Sequence, residues 1–255
     1  MRDYEVICPT RARADQIGDY TFKLMPSIKY AILHEEVDAY IDAGLSKNQI
    51  IPHDRKGITP LMAWLMETRK AHTIVRIDDD IKAVRSMVGQ HHRDYHEEED
   101  VFAIIEQGYE ASKDLGISLF FWNQSGRPIN CHPEKPFAFM GSTGLGGVYG
   151  VHGRKLKYDT RLTTREDLDL VLQAFLIDRF VLIDLRYYWT STDIEMQNKG
   201  GLQLIRTSEA EGRDKETLKS KWGAYLEFDV KKPHLKRARG VKFHFSRTNQ
   251  RSNVE

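Results

Sequence analysis

Apolar residues in this chain fall in short β-branched or aromatic runs, separated by stretches with helical spacing. Tyr4-Glu5-Val6-Ile7-Cys8-Pro9 reads as a buried strand stopped by its proline, and Thr10 to Gln16 leads into a helix near Thr21 to Leu24. Tyr30 to His34 reads as a second strand, Glu36 to Ala43 as an amphipathic helix closed by Gly44, and Gln49 to Pro52 as a third strand. Thr59 and Pro60 have the look of an N-cap and a first-turn proline before Leu61, Trp64 and Leu65, and Thr73 to Ile77 forms a fourth strand. Asp100 to Leu115 reads as a helix, and Ile117 to Trp122, Phe137 to Met140 and Val148 to Val151 as strands. Leu168, Val171, Leu172, Phe175 and Leu176 mark a further helix before the apolar run Phe180 to Ile183. The alternation predicts an α/β fold, a mixed and mainly parallel sheet flanked by helices, whose ligands gather at the carboxyl ends of the strands.

Between these elements, the charged run from Gln90 to Glu99 reads as a solvated loop despite its three histidines. The glycine-rich Gly141 to Gly147 matches neither a phosphate-binding loop nor a dinucleotide fingerprint, and reads as a hairpin or a substrate-facing loop. Arg186-Tyr187-Tyr188-Trp189 suits either core packing or the flank of an acceptor base or sugar.

At 255 residues and 40% hydrophobic, the chain has enough apolar surface for a sizeable core. No run approaches the ~18 apolar residues of a membrane span, and Met1-Arg2-Asp3-Tyr4-Glu5 lacks a signal-peptide pattern, so a cytoplasmic protein without membrane contact is expected. The only cysteines, Cys8 and Cys131, are expected as free thiols. The net charge of +1 hides an uneven distribution: from Lys231 to Arg251 there are eight lysines and arginines and no acid.

Asp78-Asp79-Asp80 closes the fourth strand directly after Ile74-Val75-Arg76-Ile77. Stacked acids at a strand tip repel one another, and a divalent cation with a bound diphosphate relieves that repulsion; solvated turn residues are the other reading. A second acid group, Thr163-Thr164-Arg165-Glu166-Asp167, begins a helix. By itself it is ordinary helix-start chemistry, with Thr163 or Thr164 as N-cap and acids complementing the dipole.

Taken in order, the strand ending in Pro9-Thr10-Arg11, the triple aspartate after the fourth strand, and a Glu-Asp helix start about 85 residues later resemble a glycosyltransferase of the GT-A fold. More narrowly, Val6 to Arg13, Lys56-Gly57-Ile58-Thr59 and Ile77 to Asp80 resemble the phage glycosyltransferases encoded beside TET/JBP-type dioxygenases, a family associated with adding sugar to 5-hydroxymethylcytosine in DNA. The resemblance covers about residues 4 to 190. It implies a UDP-sugar donor held with Mn²⁺ or Mg²⁺. Pro9, Thr10, Arg11, Arg13, Lys56, Asp78 and Asp79 would contact the nucleotide. Asp78 and Asp80 would hold the metal, completed by a late histidine, His234 or His244. Glu166 and Asp167 would be the acceptor-side acids. The implied partner is double-stranded DNA carrying a hydroxymethylated pyrimidine, in the cytoplasm of an infected host.

Residues 1–205 are then expected as the GT-A-like domain and 206–255 as a basic extension. In that extension Lys236, Arg237, Arg239, Lys242 and Arg247 would meet phosphates, with Phe243 and Phe245 interleaved among them. An edge strand from Gly240 to Phe245 is the plainer alternative. A nucleotidyltransferase, a glycosyltransferase with a non-DNA acceptor and a non-catalytic DNA-binding module are rival functions, since each accommodates aspartates on a parallel sheet or a basic tail.

Overall fold

The computed structural model describes residues 3–88, 91–123, 135–139, 145–191, 207–228 and 241–243. Its centre is a ten-stranded sheet built from β1 (Tyr4–Pro9), β2 (Lys29–Leu33), β3 (Ile50–His53), β4 (Thr73–Ile77), β5 (Ile81–Val88), β6 (His91–Tyr95), β7 (Leu119–Asn123), β8 (Phe137–Ala138), β9 (Val148–His152) and β10 (Leu182–Ser191). The order is β3-β2-β1-β4-β9-β7-β10-β5-β6, with β8 paired to β10. β1 to β4, β6, β7 and β10 run one way, and β5, β8 and β9 run against them. This is the mixed, mainly parallel α/β arrangement that the sequence predicts.

Both faces of the sheet are covered, which is why its central strands are apolar at nearly every position. On β7, Phe120 and Trp122 enter one core beside Val101, Ile105 and Tyr109 of α4 (Glu98–Asp114) and Phe22 of α1 (Tyr20–Leu24). Leu119 and Phe121 enter the other, with Leu61 and Leu65 of α3 (Ile58–Thr68) and Val171 and Phe175 of α5 (Glu166–Ile177). The alternation follows from the period-2 geometry of a strand. Gly150 lets β9 pass under Phe120, because a Cβ there would lie 2.0 Å from the ring. Cys8 is a buried free thiol, as expected, while Cys131 lies outside the described residues.

Several expectations are corrected. Thr59 is not an N-cap: the left-handed Gly57 (φ 103°) turns the chain so that α3 starts at Ile58, and Thr59 is buried inside the first turn. The charged run expected as a loop contains β6, which pairs antiparallel with β5; a strand of exposed polar residues suits a sheet edge. Among the described residues Phe137–Ala138 is all that forms a strand between Phe137 and Met140. For the aromatic run Arg186 to Trp189 the core-packing alternative holds: it lies within β10, where Tyr188 is buried, its hydroxyl 2.5 Å from His92 Nδ1, and Tyr187 and Trp189 pack against the core.

After residue 206 comes α6 (Ser208–Trp222), N-capped by Thr207 and docked on α5 through Leu162, Leu168, Leu172, Leu218, Trp222 and Leu226. Strands β11 (Leu226–Phe228) and β12 (Val241–Phe243) form a separate antiparallel pair. No helix of the described residues is long and apolar enough to cross a membrane.

Candidate active site

The site begins at the carboxyl ends of β1 and β4. Asp79 turns inward and ties the two together: Thr10 Oγ1 donates to its Oδ2 at 2.7 Å and Arg13 forms an ion pair with its Oδ1. Tyr40 of α2 (Val37–Asp42) braces the same loop, its hydroxyl 3.0 Å from Thr10 Oγ1 and accepting from the Arg13 amide at 3.1 Å. Burial pushes the Asp79 pKa up to about 7 against the pull of Arg13. Asp79, Thr10 and Arg13 are therefore buried struts of the aspartate turn. Pro9 and Arg11 stay partly exposed beside them, with Arg11 Nε 3.9 Å from Glu36, and Lys56 is exposed just beyond β3 on the same sheet edge.

Asp78 and Asp80 face outward by comparison, both partly exposed. The turn carrying them is held from below by Thr21, fully buried, whose hydroxyl bonds both the Asp78 carbonyl and the Ile81 amide. Gly147 closes the side: its carbonyl accepts from the Asp78 amide at 2.7 Å, and a Cβ on it would lie 3.1 Å from Asp78 Oδ2. The missing side chain leaves the space beside that oxygen open. Two carboxylates on one turn with clearance beside them suit a hard divalent cation, which prefers oxygen ligands. No group of three or more His, Cys, Asp or Glu fit to hold a metal occurs among the described residues. His234 and His244 lie outside them, as do the side chains of Lys236, Arg237, Arg239, Lys242 and Arg247.

Arg76, buried on β4, joins this turn to the second acid group. Its Nη2 donates to Asp78 Oδ1 at 2.7 Å, and its Nη1 to Glu166 Oε1 at 2.8 Å and to Tyr149 Oη at 3.1 Å. Burial opposes a charge on Arg76, but Asp78, Tyr149 and Glu166 keep it firmly protonated. Glu166 is buried, whereas Asp167 is partly exposed and accepts from the Leu168 amide at 2.8 Å. Burial raises both carboxyls above the ordinary carboxylate range; for Glu166 the Arg76 charge resists the shift, and for Asp167 the Leu168 amide does.

Thr163 and Thr164 are not N-caps of α5. Arg165 takes that place in the left-handed region (φ 64°), and both threonine amides donate instead to Asp214 of α6, at 2.9 and 2.7 Å. Thr164 Oγ1 adds a third bond to the same carboxylate at 2.7 Å. Asp169 receives Trp222 Nε1 at 2.8 Å and Lys221 Nζ at 2.9 Å, so α6 fixes the first turn of α5 at two points. Thr21, Arg76 and Asp214 carry no role in the sequence reading, whereas Gly147 closes the glycine-rich run noted there.

The sequence matches no protein-family model and no curated protein. In structure the chain is similar to a protein described only as mycobacterial, with 14% identity and a TM-score of 0.52 over 94% of this chain and 82% of that one. It is also similar to S. aureus TarS in complex with UDP-GlcNAc (11% identity, TM-score 0.49, 84% and 66% covered). A third is glucosyl-3-phosphoglycerate synthase from Mycobacterium tuberculosis in complex with Mg²⁺ and uridine diphosphate (12% identity, TM-score 0.48, 83% and 79% covered). At 14% identity the first likeness shows a shared fold and leaves the chemistry to the residues.

Proposed function

We propose that the protein is a Mn²⁺- or Mg²⁺-dependent glycosyltransferase that moves a sugar from a UDP-sugar to 5-hydroxymethylcytosine in double-stranded DNA. One observation carries the transferase reading: an aspartate turn at the carboxyl edge of the sheet is joined through Arg76 to Glu166, the first of two acids opening α5. The first group suits a donor diphosphate and the second an acceptor hydroxyl.

Asp78 and Asp80 would hold the cation, which when bound neutralises charge developing on the departing nucleoside diphosphate. Pro9 and Arg11, on the loop that Asp79 ties down, and Lys56, beyond β3, would line the sheet edge against the nucleotide. Asp167, the more exposed acid, takes the proton of the acceptor hydroxyl as that oxygen bonds to the anomeric carbon and the bond to the diphosphate breaks. Buried Glu166 holds Arg76.

The DNA acceptor rests on the sequence resemblance and on the acid-free basic segment 231–251, in which Lys236, Arg237 and Arg239 are the leading phosphate contacts. The test is mass spectrometry of nucleosides from hydroxymethylated and plain DNA after incubation with a panel of sugar nucleotides. A glycosylated hydroxymethylcytosine with release of UDP is expected. Release of pyrophosphate instead would indicate nucleotidyl transfer, and sugar transfer to small acceptors with DNA untouched would refute the DNA assignment alone.

A further inference from the structure

Arg76 presents an imbalance of charge. One buried guanidinium serves two carboxylates, Asp78 at 2.7 Å, two residues along the chain, and Glu166 at 2.8 Å, 90 residues away. Its remaining donor, Nε, is buried without a partner, and Tyr149 and Tyr158 are the neutral groups beside it, their hydroxyls 3.1 Å apart. In a low-dielectric interior a cation shared between two anions is a competition, and each anion weakens the hold of the other.

We propose that Arg76 is a positioning residue that couples cation binding at Asp78 to the placement of Glu166 and, with it, the first turn of α5. This rests on the donor-site reading above. When a cation engages Asp78 from the open Oδ2 side, the pull of the carboxylate on Nη2 weakens and Glu166 holds the guanidinium the more. The start of α5, which carries Asp167, is then held more tightly. In the opposite direction, a weakened bond at Glu166 leaves Arg76 committed to Asp78, where its charge opposes a second cation. Linkage requires the two effects to be equal in free energy. The acceptor-side acids are thus set in place when the donor side is filled.

The test is calorimetric titration of Mn²⁺ into the full chain with UDP present. Glu166→Gln removes the charge at position 166, and Glu166→Asp keeps the charge but withdraws it by one methylene from Arg76. Both variants are expected to weaken Mn²⁺ binding roughly 5-fold or more, the lower end of typical coupling between sites. In an Arg76→Lys background, whose point charge cannot bridge two carboxylates, Glu166→Asp should have no further effect. Wild-type affinity in Glu166→Asp overturns the coupling, because it reduces the influence of Glu166 to its charge acting through space. That comparison decides the matter even if Arg76→Lys does not fold. A wild-type protein that binds no Mn²⁺ with UDP would overturn the donor site itself, a failure distinct from Mn²⁺ binding that ignores position 166.

Discussion

The Thr21 hydroxyl donates to the Asp78 carbonyl at 2.6 Å and accepts from the Ile81 amide at 3.0 Å, so one buried side chain spans the aspartate turn. Thr21→Val keeps the shape and removes both bonds. Leaving buried polar groups unpaired costs about 1–3 kcal/mol each, so the melting temperature should fall and UDP-Mn²⁺ affinity with it. Thr21→Ser should retain both properties. Equal affinity in the valine variant and the wild type would mean that the turn holds its shape without the hydroxyl.

The clearance beside Asp78 Oδ2 depends on Gly147. In Gly147→Ala a Cβ would stand 3.1 Å from that oxygen and 3.1 Å from Ile81 Cδ1. Metal-dependent UDP binding should weaken by ~10-fold, the scale seen when the surroundings of a metal ligand are disturbed. Asp80→Ala should abolish it while the fold persists. Titration of UDP with and without Mn²⁺ measures both.

Asp167→Asn should lower kcat by ~10²–10⁴-fold with little change in donor affinity, the usual cost of losing a general base. Since burial raises the Asp167 pKa, the base is protonated and inactive up to a higher pH than an ordinary carboxylate. The acid limb of the kcat profile should therefore lie above the usual range of about 3.9–4.3. Glu166→Gln, by removing a neighbouring negative charge, should move that limb to lower pH. If neither substitution alters turnover, the two acids serve only the helix start.

Asp214→Ala releases the amides of Thr163 and Thr164 together with the Thr164 hydroxyl. A loss of stability of ~1–3 kcal/mol is expected for each buried group left unpaired. Turnover should fall by a larger factor than donor affinity, since Asp214 bonds the segment that leads into the acceptor-side acids. Unaltered kcat in a destabilised variant would assign the residue to stability alone.

His53 offers a check on stability against pH. Burial lowers its pKa from 6.5 to about 4, so between these values the unfolded chain binds a proton that the folded chain excludes. Stability therefore contains a contribution that is complete above pH 6.5 and is lost as the pH falls towards 4. His53→Gln should flatten denaturant midpoints across that window relative to the wild type.

Much of the fold is legible from the chain because β1, β2, β4 and β7 are buried on both faces, which makes them short apolar runs. The aspartate turn is legible for a related reason, since three acids directly after such a run have no turn-forming residue to account for them. The supporting residues are harder to see. Thr21 resembles any threonine in a short helix, and Arg76 is hidden in the apolar run of β4, although a cation inside a fully buried strand must have a partner. Asp214 lies in a helix crowded with charges. Its signal is spacing: Ala210, Asp214, Leu218 and Trp222 recur every fourth residue and are the buried positions of α6. β6 gives no apolar signal because an edge strand needs none.

The crossing of Phe120 over Gly150 has a consequence for how this sheet tolerates change. A Cβ at 150 would lie within 2.7 Å of three ring atoms of Phe120, so the volume there belongs to one residue or the other. Alanine at 150 should be intolerable beside phenylalanine at 120 and acceptable beside leucine. The two positions behave as a single unit of size, shared between strands that pair Phe120 with Gly150, one residue along from the tyrosine that Arg76 leans on.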